Sequence, residues 1–546
     1  MSLRLLAIST CVVLGACSSA GLSDAAVGQD ALSPADATTP DAGARDQGTE
    51  PDAAQADASE ADAAEADAAE PDAAPADSGP ADAGVRALYV DPQSGLDTND
   101  GLRSTPLHTI AHAASQARSG EEIVLLPGVY SPSTEPSFAS GVRRVRIPDG
   151  VTLRADQPGT VELNTGLSEG IGFLGRGRLA DIRFNGSSRA ITSTLGAIEL
   201  SGLHFEDSND SCGGGGNTAP ISLGETATAT LTVGSSTTGE VIGASIECLV
   251  RLSGDAHLTL RGLRFTRGAA SIYSGSAMFA PRERSHLTLA QVTVESPIGT
   301  VLHATDDAHI AIIGSSFHNA SASLLLVGER SALLLERSSI DGVAGDAVIL
   351  RGEGTANDQH LVVRDSTIQN TGRAIASSLY NAPPLPTVVI ERTEIRNVTQ
   401  GVGLGAGDLS VTSSTISASS GYGIAVNNVQ SLRVRATRIS GCASWAIEAT
   451  GFVGPAILDL GTGADPGGND LSGNNQNMVS TSGLRYFCSA GMMGTAVGNT
   501  WEPNAQGTDA DGHYLVPVGQ NAVDATGPQN GRNYALNPGC VLRLAE

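Results

Sequence analysis

Histidine recurs at one position of a phrase that this sequence repeats. The phrase HLTLRGLRFTRG at 257–268 returns as HLTLAQVTVESPIG from residue 286 and as HIAIIGSSFHNAS from residue 309. Four of the ten histidines stand at this position: His257, His286, His309 and His360. Two residues before them stand Asp255, Arg284, Asp307 and Asp358. Imidazole and carboxylate groups held together could bind a divalent metal, polarise a substrate group or take up protons as the pH falls.

Six of these side chains define the histidine patch, a candidate surface ligand or metal site: Asp255, His257, Arg284, His286, Asp307 and His309. A divalent metal is one cofactor that such a patch could hold, and no other cofactor is expected. In the alternative interpretation, the beginning of this strand favours a polar residue and histidine recurs there without a role. Both interpretations require the repeats to place equivalent residues above one another.

The repeated phrase predicts stacked coils of three short strands. First anchors stand at Leu258, Leu287, Ile310, Leu333, Leu361, Val388, Leu409 and Leu432. Second anchors follow seven residues later at Phe265, Val294, Phe317, Ile340, Ile368, Ile395, Ile416 and Ile439. Third anchors are predicted at Ile272, Val301, Leu325, Val348, Ile375, Val402, Ile424 and Ile447. An odd offset between inward residues requires a turn, because a strand alternates faces with a period of two.

A coil of about 25 residues with three such strands is typical of a right-handed parallel β-helix, an all-β solenoid. The leucine-rich horseshoe is the alternative, but its own Leu and Asn spacing is absent. Small hydroxyls two residues before the second anchor could form a hydrogen-bonded column: Ser315, Ser338, Ser366, Thr393, Ser414 and Thr437. Asn319, Asn370 and Asn397 suggest an asparagine ladder. Charges alternate in two further columns, Glu336/Arg364/Glu391 and Arg337/Asp365/Arg392, as the predicted register requires.

Composition agrees with a strand-and-turn solenoid and excludes some functions. The 546 residues include 66 Gly and only 3% aromatic residues. The formal net charge of -26 argues against nucleic acid as a partner. Every one of the 32 basic residues is arginine, so a mechanism that needs a lysine base is excluded.

The N-terminus indicates export and anchoring. Residues 1–17 resemble a bacterial lipoprotein signal peptide, with Arg4, an apolar run and the lipobox LGAC. The resemblance implies that Cys17 is acylated and holds the protein in a lipid bilayer, at the outer membrane or cell surface. Residues 18–84 carry 16 acidic residues and one Arg, with Asp every five residues from Asp52 to Asp82. Such a segment is predicted to be a disordered tether.

Two segments carry a resemblance to known β-helix proteins. The stretch from Ala87 to Tyr130 is similar to the N-terminal segment of secreted right-handed β-helix proteins of the pectate-lyase-like superfamily. The matching positions include Tyr89, Asp91, Gly95, Asp97, Gly101, Ile110, Gly120 and Gly128. AVGNTWEPNAQGTDADGHY near the C-terminus resembles the closing segment of a bacterial β-helix family of unknown function. We therefore predict an N-terminal cap with a short helix and the first strands at 85–130, a β-helix at 131–480 and an irregular C-terminal cap at 481–546.

Five cysteines follow Cys17 in a compartment that permits disulfides. Cys212 with Cys248, and Cys488 with Cys540, would close local loops, although spacing alone proves neither bridge. Cys442, three residues after the second anchor Ile439, is predicted to be a buried free thiol.

Members of this superfamily include polysaccharide-cleaving enzymes, but no catalytic residue can be assigned here. The Gly-His-Gly and Arg-x-Lys signatures of polygalacturonases are absent, and the adjacent Asp306 and Asp307 are more typical of a turn. Lyases use an Arg or Lys base beside bound calcium, and no matching pattern surrounds Arg282 or Arg284. The sequence favours a surface-tethered protein with a β-helix face for a polysaccharide or a cell-surface partner. A polysaccharide lyase or hydrolase, and a purely structural surface protein, stay open as alternatives.

Overall fold

The structure is a computed structural model that describes most of the chain after residue 84. The described residues are 85–139, 144–165, 169–186, 189–206, 219–232, 240–242, 248–266, 277–352, 358–377, 385–450, 457–474, 484–487, 493–500, 507–508, 514–515, 523–524, 529–530, 534–536 and 541–543. The predicted signal peptide at 1–17, Cys17 and the tether at 18–84 lie outside them. Among the described residues, no helix is both long enough and apolar enough to cross a membrane.

The chain forms a parallel β-solenoid whose strands stack in three sheets. In sheet 1 the parallel strands follow chain order: Ala87–Val90, Glu122–Leu125, Val151–Ala155, Gly177–Ala180, Ala197–Ser201, Thr228–Thr232, His257–Arg261, His286–Ala290, His309–Ile313, Ala332–Glu336, His360–Arg364, Thr387–Glu391, Gly407–Thr412, Val429–Arg435, Ile457–Asp459, Met493–Thr495 and Val541–Arg543. Aliphatic residues alternate along these strands with polar ones, so one face of sheet 1 lines the core and the other faces outward.

Sheets 2 and 3 complete each coil. Sheet 2 contains Gly128–Tyr130, Val161–Asn164, Arg183–Asn185, His204–Glu206, Glu240–Ile242, Arg264–Thr266, Thr293–Glu295, Ser316–His318, Ser339–Val343, Thr415–Ser417 and Arg438–Ser440. Sheet 3 contains Val145–Ile147, Glu169–Phe173, Arg189–Ser193, Ile221–Leu223, Val250–Leu252, Phe279–Pro281, Leu302–Ala304, Leu325–Gly328, Val348–Arg351, Ile424–Asn427, Ile447–Thr450, Leu484–Phe487 and Tyr534–Leu536. Two long strands, Thr367–Ser377 and Glu394–Leu404, run through both sheets.

The remaining elements are short. An α-helix spans Ile110–Gln116 and a 3-10 helix spans Pro136–Phe138. Antiparallel pairs join Gly507–Thr508 to Tyr514–Leu515, Val523–Asp524 to Val541–Arg543, and Gln529–Asn530 to Tyr534–Leu536. In the α-helix, Ile110 and Ala114 are buried, and Ala117 packs against the core just after the helix ends.

The register of the first and second anchors is confirmed. Each first anchor pairs with the next, from Leu258 with Leu287 to Leu409 with Leu432. Second anchors pair in the same way, from Phe265 with Val294 to Ile416 with Ile439. All these side chains are buried, so the repeated phrase encodes the columns of the core. The handedness of the coil stays a prediction.

Two predicted third anchors need correction. Leu325 pairs with Leu302 rather than with Val301, and Leu302 pairs with Phe279. In the first coil, Phe279 therefore takes the place predicted for Ile272, which lies outside the described residues. The physical reason is an insertion, because 14 residues separate the second anchor Phe265 from Phe279 where the later coils have seven or eight.

The column of small hydroxyls is confirmed as a hydrogen-bonded ladder. The Ser315 and Ser338 amides donate to the Oγ atoms of Ser338 and Ser366 at 3.1 and 3.2 Å. The Thr437 amide donates to Oδ1 of Asn469 at 3.0 Å, and the Asn469 amide donates to Oδ1 of Asn499 at 3.2 Å. The column therefore ends in buried or half-buried asparagines.

The predicted asparagine ladder is wrong in position. Asn319, Asn370 and Asn397 are exposed and have φ angles of 52–56°. They occupy left-handed corners after the second anchor, a conformation that asparagine tolerates better than most residues. The Nδ2 atom of Asn370 donates to Asp341 of the neighbouring coil at 2.7 Å.

Ion pairs join neighbouring coils where the alternating charges predict them. Arg364 donates to Oε2 of Glu336 at 2.7 Å, and Arg392 binds both oxygens of Asp365 at 2.6 and 2.9 Å. Arg337 pairs with Glu336 beside it rather than with Asp365.

Parallel pairing is not confined to residues 131–480. It begins with Ala87–Val90 against Glu122–Leu125 and reaches Met493–Thr495 against Val541–Arg543. The predicted borders of the two caps stay predictions, since much of 501–546 lies outside the described residues.

The described cysteines differ in state. Cys248 is disulfide-bonded, and Cys212, its predicted partner, lies outside the described residues, as do Cys488 and Cys540. Cys442 is a buried free thiol, as predicted, and burial raises its pKa to about 12. A thiol with such a pKa is a packing group rather than a nucleophile.

Candidate functional site

The three histidines of the patch form a stack on the outer face of sheet 1. His257 pairs with His286, and His286 with His309, in adjacent strands. The ring centroids are 4.2 Å apart in the first pair and 4.8 Å in the second, with interplanar angles of 3° and 13°. This spacing follows the separation of neighbouring strands, so the solenoid itself sets the stack.

His360 belongs to the same column but not to the stack. His309 pairs with Ala332, and Ala332 pairs with His360. The row of imidazoles is thus interrupted by one small side chain.

The charged residues beside the stack pair with each other. Two guanidinium nitrogens of Arg284 donate to the Asp255 carboxylate, Nε at 2.7 Å and Nη2 at 2.9 Å. Arg330 binds Asp307 in the same bidentate way, with Nη2 at 2.7 Å from Oδ2. These guanidinium groups lower the pKa of both carboxyl groups, against a small opposing effect of burial.

Arg330 was missed from the sequence. It stands two residues before Ala332, the one position of this column between His257 and His360 that has no histidine. Including it gives the series Asp255, Arg284, Asp307, Arg330 and Asp358, whose charge alternates at every coil. The column therefore works as an electrostatic ladder between strands.

These contacts do not support a metal centre. The two carboxylates face guanidinium groups, and the described residues contain no group of three or more His, Cys, Asp or Glu side chains that could hold a metal ion. Partial burial, followed by the two neighbouring imidazoles, lowers the pKa of His286, while Asp255 opposes the shift. His286 thus favours its neutral form.

A groove of about 340 Å³ opens beside the stack on the same face. Its floor is aliphatic and half-buried, with Ala311, Leu334 and Val362 in one column. His286, His309 and His360 line one side. Glu336 and Arg364 stand two residues after Leu334 and Val362 in the same strands, and they form an ion pair. The Nε atom of Arg364 is buried without a hydrogen-bond partner.

A second depression, of about 440 Å³, lies further along sheet 1 and has a different character. Arg433 and Arg435 meet Asp465 there at 2.8 and 3.0 Å, and Arg435 also donates to Asp459 at 2.6 Å. Two arginines and two aspartates satisfy one another, which is typical of a structural ion-pair network.

Asp306 is a turn residue, as predicted. Its φ angle is 60°, its Oδ2 accepts from the Glu283 amide at 3.2 Å, and its own amide donates to Glu329 at 3.1 Å. Asp306 and Asp307 therefore have separate partners and do not form a catalytic pair.

The stacked strands and the outward groove define the protein as a parallel β-solenoid. Within it, residues 93–192 match the family described as "Protein of unknown function (DUF1565)". Recognition of a β-helix protein from the sequence is thus confirmed.

Comparison with solved structures finds distant similarities. The chain is similar to a mannuronic acid-specific family 6 polysaccharide lyase from the human gut microbiota, with 11% identity, 78% of this chain and 89% of that chain covered, and a TM-score of 0.37. It is similar to a PL6 alginate lyase in complex with a trisaccharide, with 12% identity, coverages of 84% and 96%, and a TM-score of 0.40. It is also similar to the Vag8–C1 inhibitor complex, with 15% identity, coverages of 83% and 100%, and a TM-score of 0.36. Similarity at this level assigns no activity. No curated protein sequence matches the chain.

Proposed function

We propose that the protein is a surface lipoprotein, anchored through Cys17, that binds a polysaccharide in the groove on the outer face of sheet 1. The observation that carries the proposal is the groove itself, which has an aliphatic floor and imidazoles along one side. The Glu336–Arg364 ion pair stands in the next outward column of the same strands. Sites for small organic groups combine such apolar surfaces with a few fixed polar groups.

The chemistry of the groove suits sugar rings. The C–H faces of a sugar can pack on Ala311, Leu334 and Val362, while its hydroxyls exchange hydrogen bonds with the polar sides. The face also repeats about every 4.8 Å along the solenoid, so a repeating ligand can meet repeating side chains.

The tether supports a role away from the membrane. Its 67 residues, if extended at ~3 Å each, would reach on the order of 200 Å from the bilayer. That reach would carry the groove through a layer of surface polysaccharide.

The test is binding of the full chain to immobilised β-1,4-glucan, galacturonan and mannuronan. We expect Leu334→Glu to weaken binding about tenfold, because it places a charge on the apolar floor. Thr230→Glu is the matched control, since Thr230 lies in the same outward column beyond the groove, and it should retain binding.

The same incubations separate the alternatives. New unsaturated or reducing ends that disappear in the His286→Ala/His309→Ala variant would establish a lyase or hydrolase instead. If the intact chain neither binds nor cleaves any of the three polysaccharides, the result would favour the alternative of a purely structural surface protein.

A further inference from the structure

The histidine column is interrupted at Ala332, between His309 and His360, and the gap is wide enough for one ring. We propose that a single pyranose ring of the bound polysaccharide inserts over Ala332 and stacks between His309 and His360. The inference rests on the proposed function and names the position at which one sugar ring is bound. We call His309, Ala332 and His360 the ring slot.

The spacing of the strands sets the width of the ring slot. Adjacent histidines stack at 4.2 and 4.8 Å. His309 and His360 are two strands apart, which corresponds to about 9.6 Å. One ring placed between them would lie about 4.8 Å from each, the same separation that the existing stack has.

The side chain at the bottom of the ring slot leaves room for an occupant. Ala332 is the smallest residue in a column that otherwise carries histidine across five consecutive strands. Together with His309 and His360 it lines the groove, next to Leu334 and Val362. The space over its methyl group is therefore continuous with the aliphatic floor.

Imidazole walls and a charged border favour a sugar over other rings. The C–H bonds of a pyranose are polarised by the ring oxygens and can rest against the electron-rich face of an imidazole. Arg330 and Asp307, two residues before Ala332 and His309, offer a donor and an acceptor to hydroxyls at the ring edge. A nucleotide is disfavoured, since the net charge of -26 opposes its phosphates.

The decisive variant is Ala332→His, which fills the ring slot and continues the stack. Its matched control is Thr228→His, which extends the same column at the other end, where Thr228 pairs with His257. Both changes add one imidazole to the outer face of sheet 1. Affinity of the full chain for hexasaccharides of β-1,4-glucan, galacturonan and mannuronan is measured by calorimetry.

We expect Ala332→His to weaken binding about tenfold or more, and Thr228→His to change it less than about twofold. Equal affinity in Ala332→His and the unaltered chain would overturn the ring slot while leaving the groove as the binding site. Absence of hexasaccharide and polysaccharide binding by the unaltered chain would overturn the proposed function, and the ring slot with it.

A second set of three variants covers the case in which Ala332→His does not fold. Removing one wall, in His309→Ala or in His360→Ala, should weaken binding, whereas His257→Ala should leave it nearly unchanged. In the unaltered chain, ring resonances of His309 and His360 should shift when the hexasaccharide is added, and that of His257 should not. Shifts confined to His257 would contradict the ring slot.

Discussion

At the scale of the residue, the surroundings of His286 alter its acid–base chemistry. It is half-buried between two imidazoles, one on each neighbouring strand, with Asp255 and its partner Arg284 nearby. Burial and the like charge that protonated neighbours would carry both oppose its protonation. Its pKa therefore lies below the ordinary value for histidine, which is about 6.5.

We predict that His286 titrates at a lower pH than a free histidine in an NMR titration of the ring protons. His257→Gln removes one interacting imidazole and should raise the pKa of His286. His360→Gln is the control, because His360 is separated from the stack by Ala332, and it should have no effect. A His286 midpoint that does not move in His257→Gln would contradict the interaction.

The same pKa shift predicts how stability depends on pH. A histidine whose pKa is lowered in the folded state takes up its proton first in the unfolded chain. The free energy of unfolding should therefore fall as the pH decreases from about 6.5 to the lower pKa of folded His286. Chemical denaturation at several pH values should show a smaller decrease for His286→Gln than for the unaltered chain.

At the scale of the element, the hydroxyl column is the contact that fixes each corner between sheets 1 and 2. The hydroxyls lie in the core. Five of them supply the acceptor for an amide of the preceding coil: Ser315, Ser338, Ser366, Ser414 and Thr437. The residues just before them include Arg337, Asp365, Arg392, Ser413 and Ala436, with φ angles of 46–51°. Left-handed corners of non-glycine residues are costly, and the ladder helps to hold them.

We predict that Ser338→Ala lowers the free energy of unfolding by about 1–3 kcal/mol, because the Ser315 amide loses its acceptor inside the core. Ser339→Ala is the matched control, since its side chain points out of the core, and it should cost less than about 0.5 kcal/mol. Urea unfolding followed by circular dichroism measures both. Equal values for the two variants would show that the ladder does not stabilise the coil.

Strand register was predictable where the offset between the first and second anchors of a coil is constant. From Leu258 to Leu432 this offset is always seven, because the turn between sheets 1 and 2 has a constant length. Before residue 250 the offset changes: Ala229 pairs with Leu258 and Val241 pairs with Phe265, but Ala229 and Val241 are 12 residues apart. A pattern with a fixed offset does not register such coils.

The site was predictable in part for the same reason. The stacked histidines and the pairing of Glu336 with Arg364 follow from the register. The groove depends instead on the shape of the outer surface around Ala332, Leu334 and Val362. A pattern of residue types along one chain does not give that shape.

At the scale of the whole molecule, charge is divided unevenly along the chain. Residues 18–84 contribute 16 of the 58 acidic residues and one arginine, a net charge of -15 out of -26. A segment of this composition repels itself and extends. The predicted tether therefore carries more than half of the net charge of the chain.

We predict that Cys17 carries the lipid. In a bacterial host grown with a clickable palmitate analogue, the unaltered chain should be labelled and recovered with membranes, and Cys17→Ser should be unlabelled. Cys11→Ser is the control, because Cys11 lies in the apolar run of the predicted signal peptide, and it should still be labelled. Label retained in Cys17→Ser would contradict the anchor.

The ladder of corner hydrogen bonds also has a consequence for how the chain assembles. The Val292 amide donates to the hydroxyl of Ser315 in the next coil, the Ser315 amide to that of Ser338, and the Ser338 amide to that of Ser366. Each of these acceptors therefore lies later in the chain than its donor. A chain emerging from a ribosome would always leave the corner amide of its newest coil unmet until about 25 further residues have been made. Coils would then form in order from the N-terminus during synthesis, and each completed coil would serve as the template for the next coil along the chain.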